Sequence, residues 1–525
     1  MARPTPFGRA ARWTFCIGVA TVVATTPAGA VTYLVTKTTD TADGTCSDTD
    51  CSLREAVIAA NSSAGADVVV VPSGVYELTR TSGSEDQQGD LDVGESVTIR
   101  VPTRATEPAV IETSLGVRLL EVGFPGLTGI TATLRGLVFQ GGGPESFGGA
   151  VHVVDGTMLT LELCEVRDSE ASMGGGIFFE PGAQGTLIDS IVSGNSATTL
   201  GGGIYAPSTG TLSLMRSAVQ NNDSAGYGGG LLALGTVTIA HSSVTGNAAS
   251  HGGGLYIAEG TTTIVDSTIA SNEATVSGGG VTVASGGGVT VAGTLVLRRS
   301  FVGGNQAVDG GGIHLFVAGA GLEVEGSTLA LNTATGSGGG LFIEGPPGLA
   351  HISSSTVGGN VADSDGTGSG FGGGVFVAGG ASPTFQNTIL AYNSDTTVTT
   401  PSDCFGVIES LGHNLIQSIG FCGIVGVTDG NVLGVDPLLG ALFTNGGPTL
   451  SSMPLAGSPA IDAGDPDGCV DASGAPIDVD QRGFPRHADD DADGVARCDI
   501  GAVERSLFSD GFESGNASRW SAELG

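Results

Sequence analysis

Gly174-Gly175-Gly176-Ile177-Phe178-Phe179 is one of eight stretches in which three glycines precede three mostly apolar residues. The others begin at Gly201, Gly228, Gly252, Gly278, Gly310, Gly338 and Gly372, and a weaker copy, Gly148-Gly149-Ala150-Val151-His152-Val153, comes before them. Subtracting the numbers of successive first glycines gives intervals of 24 to 34 residues. A period in that range marks a repeat array, whose units touch only their neighbours.

Each unit also carries a strand of alternating apolar residues, as at Leu212/Leu214, Val237/Ile239 and Leu295/Leu297. A Ser-x-aliphatic-x-x-Asn segment follows, for example Ser242-Ser243-Val244-Thr245-Gly246-Asn247. Short strands with no helix between them fit an all-β array of three sheets wound as a coil whose turns stack at about 4.8 Å, and this pattern resembles the right-handed parallel β-helix of pectate-lyase-like solenoids. Stacking puts Asn195, Asn222, Asn247, Asn272, Asn305, Asn332 and Asn360 in one column. Side chains in such a column hydrogen-bond along it, and Asn also suits turns because it tolerates left-handed φ. A serine column runs through Ser190, Ser217, Ser242, Ser267, Ser300, Ser327 and Ser355, and alignment places Cys164 in it. That cysteine reads as a small buried thiol rather than a nucleophile.

In the strand after each triplet the first and third residues are apolar or alanine, so the middle one faces outward. These middle residues are His152, Phe178, Tyr205, Leu232, Tyr256, Thr282, His314, Phe342 and Phe376. Phe178, Tyr205, Tyr256, Phe342 and Phe376 therefore form an aromatic stripe, the candidate ligand-binding residues, suited to sugar rings or a protein partner. The alternative is that the rings stabilise neighbouring strands or lie under a loop or the C-terminal region.

Two other clusters carry possible chemistry. Asp189, Arg216, His241, Asp266 and Arg299 precede the serines and would pair between coils, where His241 beside Asp266 has the makings of an acid–base pair. Charge alternation is equally what a stacked surface needs. Asp489, Asp491 and Asp493, followed by Gly494, have the spacing of a calcium loop, although Ile500 stands where such a loop places its bidentate glutamate. A solvated acidic loop is the other reading. The glycine triplets do not suit phosphate, because a strand and not a helix follows them.

The formal net charge of -34 excludes nucleic acid as a partner on electrostatic grounds. Residues 1–30 read as a secretory signal: Arg3, Arg9 and Arg12, an apolar stretch from Trp13 to Ala24, then Ala28-Gly29-Ala30. Its removal leaves -34 - 3 = -37. No later stretch is apolar for the ~18 residues of a membrane span. Export permits disulfides, and Cys46/Cys51, Cys404/Cys422 and Cys469/Cys498 are the sequence-local pairs, although sequence alone does not set connectivity.

Ser52 and Glu55 have capping-box spacing, and Leu53, Ala56, Val57 and Ala60 then fall on one face of a short helix that would close the end of the array. Cys51-Ser52-Leu53-Arg54-Glu55-Ala56, with its flanks, resembles the CSLREA domain of exported bacterial proteins, which implies an N-terminal cap. The repeats are similar to those of chlamydial polymorphic outer-membrane proteins, without the terminal membrane barrel. Gly457-Ser458-Pro459-Ala460-Ile461-Asp462-Ala463-Gly464, Asp480-Gln481-Arg482-Gly483 and Cys498-Asp499-Ile500-Gly501 look like the choice-of-anchor Q domain. Ser509 to Gly515 resembles a tail of bacterial exoproteins.

The expected organisation is a signal peptide at 1–30, cap and irregular first coils at 31–145, regular repeats at 146–395, an anchor-Q-like domain at 396–505 and a tail at 506–525. The expected function is a non-catalytic secreted or surface-displayed module that contacts a glycan or a neighbouring surface. The alternative is a lyase or glycosidase acting on acidic polysaccharide, an analogy of fold alone.

Overall fold

The computed structural model describes residues 29–505, apart from 45, 83–86, 104, 284–292, 317–319, 347–349, 369, 397–401 and 487–494. Among these residues the strands assemble into three sheets of 26, 10 and 14 strands, and the strand ladders within each sheet are parallel. The chain is a parallel β-helix. In each coil the short strand after the glycines and the longer alternating strand both join the largest sheet, and one strand joins each of the other two.

Register decides how the core fills. Leu187, Leu214, Ile239, Ile264, Leu297, Val324 and Ile352 are successive partners across seven coils. All are buried, so one aliphatic side chain sits on the next without a gap. Burying each of them contributes about 1.5–3 kcal/mol.

The asparagines form the expected ladder, with each Nδ2 donating to the Oδ1 of the next at 2.9–3.0 Å from Asn195 to Asn393. The left-handed residue is the one before each asparagine, as at Asn221, Ser271, Leu331 and Tyr392. Left-handed tolerance is therefore not why these asparagines are asparagine. Their carboxamides lie on the third glycines of the triplets: a Cβ on Gly254 would come within 2.6 Å of the Gly280 carbonyl and 3.0 Å of the Asn272 carboxamide. Triplet and ladder are thus one packing unit. At its end the ladder meets Asp403, which accepts from Asn393 Nδ2 at 2.9 Å and needs to donate nothing further.

The serine column also forms, each backbone N–H donating to the next Oγ at 3.0–3.1 Å from Ser190 to Ser300. Cys164 occupies its first described position, with its N–H donated to Ser190 Oγ. Burial pushes its thiol up to about 11, as expected of a packed rather than a reactive cysteine.

A helix, Leu53–Asn61, closes the N-terminal end with the capping box in place. Arg54 is buried against Asp40 at 2.8 Å and donates to the carbonyls of Gly89 and Asp90 at 2.7 Å. Burial opposes ionisation of Glu55, but the N–H groups of Ser52 and Asp43, the Thr41 hydroxyl and Lys37 outweigh it and hold the carboxyl at about 2.

Coiling continues past residue 395, through Cys404–Leu411 and Phe421–Val427 in the largest sheet and through Leu415–Ile416 and Val432–Leu433 in the 14-stranded one. The chain then doubles back along the outer face of the 14-stranded sheet. Gly501 N–H donates to the Asn387 carbonyl at 2.8 Å, Ala502 N–H to Thr356 Oγ1 at 3.1 Å and Gln481 Nε2 to the Ser300 carbonyl at 3.2 Å. Ala460 and Ile500 pack on Ile389, Ala391 and Leu415. Disulfides join Cys46 to Cys51, Cys404 to Cys422 and Cys469 to Cys498. No helix among the described residues is long and apolar enough to cross a membrane.

Candidate functional site

The first glycine of every triplet has φ between +62° and +70°, a left-handed conformation that folds the chain sharply. A Cβ on Gly252 would meet the Leu255 carbonyl at 2.3 Å, so no side chain fits inside the bend. The residue before the triplet and the middle residue after it thereby become the two walls of a concave corner. One wall stacks His152, Phe178, Tyr205, Leu232, Tyr256, Thr282, His314, Phe342 and Phe376 in direct register. The facing wall stacks Met173, Leu200, Tyr227, His251, Ser277 and Asp309.

The expected stripe exists, but not as a bare face. Phe178 is 7% exposed, and Tyr205, Tyr256, Phe342 and Phe376 are half-buried in the corner. Phe178 and Tyr205 stack at 4.6 Å, Tyr227 sits 4.7 Å from Tyr256, and Phe342 lies 4.8 Å from Phe376. Burial raises the Tyr256 hydroxyl to about 12. The rings thus stabilise neighbouring coils and at the same time line a groove.

That groove opens into a hollow of about 620 Å³ where both corner residues are small. In the coil of Ser277 and Thr282 no ring is present on either wall, and Thr282 Oγ1 donates to the Ser277 carbonyl at 3.0 Å. Tyr227, His251 and Tyr256 stand on one side of this gap, His314 and Phe316 on the other. From Tyr205 to His314 is four coil steps, about 19 Å at ~4.8 Å each. His251 Nδ1 is 2.9 Å from Ser277 Oγ. His314 is buried, and neither of its ring nitrogens has a hydrogen-bond partner among the described residues. Burial, with a smaller contribution from His251, holds its imidazole down at about 4, so it is neutral at physiological pH.

Toward the N-terminus the same column turns charged. His152 lies between Glu121 Oε2 at 3.2 Å and Glu180 Oε1 at 3.1 Å, and Arg118 pairs with Asp90 at 2.7 Å and with Glu121. Burial opposes ionisation of Glu121, yet the His152 hydrogen bond and the Arg118 charge outweigh it and keep its carboxyl below its usual range. Glycoside hydrolysis by inversion needs two carboxyls with a water between them. Here the imidazole fills that space and engages both acids. Sequence reading missed this cluster because Glu121 lies in an early coil without a triplet, so its place in the column has no marker.

The other candidate pair separates. Asp266 accepts Arg299 Nε and Nη2 at 2.9 Å each, whereas His241 Nε2 is 3.9 Å away and its side chain is 56% exposed. Asp189 is taken by Arg216 at 2.8 Å. Asp489, Asp491 and Asp493 lie outside the described residues.

The family comparison agrees with the architecture. Residues 128–329 match the family described as a right handed beta helix region. The β-helix also resembles two solved structures at low identity. Pectate lyase Pel9A aligns at 12% identity and a TM-score of 0.38 over 91% of this chain and 96% of that one. The Dettilon tailspike protein aligns at 12% identity and 0.36 over 75% of this chain and 68% of that one. No curated protein matches the chain.

Proposed function

We propose that this β-helix is a non-catalytic, exported carbohydrate-binding protein that holds a polysaccharide along the aromatic corner. The observation that carries this reading is the hollow between Tyr227, His251 and Tyr256 on one side and His314 and Phe316 on the other. Ring faces that pack on the apolar face of a sugar, next to imidazole and hydroxyl groups that bond its hydroxyls, are what a glycan site requires. Three disulfides support an oxidising compartment, as the signal-like residues 1–30 suggest. The resemblance to CSLREA and choice-of-anchor Q domains points to the surface of a bacterial cell as its place of display.

Retention on immobilised polysaccharides, with chain length monitored in the same samples, tests this. Retention without shortening is expected, with affinity falling tenfold or more in a Tyr227→Ala/Tyr256→Ala double variant. Shortening abolished by Glu121→Gln or His152→Gln would establish an enzyme instead.

A further inference from the structure

The corner column carries a ring on most coils, and neighbouring centroids lie 4.6 Å apart at Phe178–Tyr205 and 4.8 Å apart at Phe342–Phe376. Two rungs lack one: Leu232 fills its place with a buried aliphatic side chain, and the shorter Thr282 does not. Because Thr282 stands between them in register, Tyr256 and His314 are two coils apart, about 9.6 Å at ~4.8 Å per coil. A six-membered ring inserted there would have a neighbour above and below at the spacing the column already uses. Ser277, on the facing wall of the same coil, carries no ring to fill the gap from the other side.

The chemistry of the gap narrows what can enter. His314 is 8% exposed and its two nitrogens are unpartnered. A neutral imidazole presents one donor and one acceptor, a combination that adjacent sugar hydroxyls satisfy and a hydrocarbon does not. Among the described residues no lysine or arginine lines the hollow. Its acidic member, Asp309, accepts the Ser337 N–H at 2.8 Å. A uronate carboxylate entering here would lose its water without gaining a cation, in the field of a chain of formal net charge -34. An uncharged sugar meets no such penalty.

We propose that the hollow takes an uncharged pyranose of a neutral glycan as the missing rung between Tyr256 and His314, stacked on the Tyr256 ring and hydrogen-bonded through a hydroxyl to the edge of the His314 imidazole, which stands T-shaped to Phe342. This rests on the carbohydrate-binding reading and deepens it from a groove to one coil and one sugar class.

The test compares a soluble β-glucan, a galactomannan and a xylan with polygalacturonate and alginate, using the full chain in physiological salt. Two variants probe the rung: Thr282→Phe supplies the missing ring, and His314→Phe keeps the stacking surface but removes both nitrogens. At least one neutral polymer should be retained and the polyuronates not, with tenfold or greater loss in each variant while the melting curve of His314→Phe stays cooperative. Should Thr282→Phe fail to fold, His314→Phe decides alone. Retention of a polyuronate that depends on Tyr256 overturns the neutral-sugar assignment and leaves the groove standing. Neutral binding that survives both variants overturns the rung. Absence of retention on every polymer sinks the groove reading and this one with it.

Discussion

Two columns run the length of this solenoid with the same period, and they differ in almost everything else. The inner one repeats asparagine from Asn195 to Asn393, buried and bonded to itself at 2.9–3.0 Å. The corner one changes residue at nearly every coil, from His152 to Phe178, Leu232, Thr282 and His314, and includes a buried imidazole with no partner. Uniformity is what a ladder needs, because each rung's donor must meet the next rung's acceptor. Variation in register is what makes one coil different from the next, and so gives a rod of identical coils a particular place to bind something. Structure resides in the first column, and the proposed recognition in the second.

The largest effect should come from breaking the uniform column. Asn247 Nδ2 donates to Asn272 Oδ1 and to the Val219 carbonyl, while its Oδ1 accepts the N–H and the Nδ2 of Asn222. Asn247→Ala removes all four bonds and leaves buried donors unmet, an expected loss of about 3–4 kcal/mol. Chemical denaturation reads the loss, and hydrogen exchange should place it in the coils on either side of residue 247, since stacked units pass strain only to neighbours. Unchanged exchange there would mean that the ladder is a consequence of the fold and not a cause of it.

The difference between the columns also explains what the sequence discloses. The triplets, the asparagines, the serines and the Ser52/Glu55 capping box each follow a spacing rule that local chemistry enforces, so they can be read along the chain. The facing wall of Tyr227, His251 and Ser277 follows no such rule. Its position is visible, one residue before each triplet, but its meeting with Tyr205, Tyr256 and Thr282 depends on the direction in which the first glycine turns. The stripe thus stands in the register that the spacing sets, half-buried against the facing wall and stabilising neighbouring strands, which is the alternative the sequence also offers. Cluster residues such as Glu121 and Glu180 stayed hidden because their partner His152 reaches them only through coil stacking.

A middle-sized effect should appear where the corner column is least satisfied. The His314 imidazole is held at about 4 against an ordinary 6.5, with His251 and Asp309 the titratable groups sharing its hollow. A depressed folded value means that stability from this group is complete above pH 6.5 and is lost as pH falls toward 4. Between pH 7 and pH 5 wild-type stability should drop by about 2 kcal/mol more than that of His314→Phe. The variant should also be the more stable of the two at neutral pH, because an unpartnered polar group gives way to a ring in an aromatic column. Parallel stability–pH curves for the two proteins would show that His314 finds a partner in solution, and would remove it from the binding site.

The smallest effect is expected at His241. Its histidine and Asp266 suggest acid–base chemistry when read as neighbours in a column, and both stand in an open depression with Arg216 and Ser242. Geometry separates them: Arg299 holds both Asp266 oxygens at 2.9 Å, and the imidazole is 3.9 Å away and mostly in water. A carboxylate whose two oxygens both accept from a guanidinium is aimed at that partner and not at a histidine 3.9 Å away. His241→Ala should therefore leave glycan retention, chain length and melting temperature as they are. Polymer cleavage by the wild-type chain that disappears in that variant would reverse the contrast drawn between the columns, since it would place catalysis on a surface that otherwise serves to alternate charge.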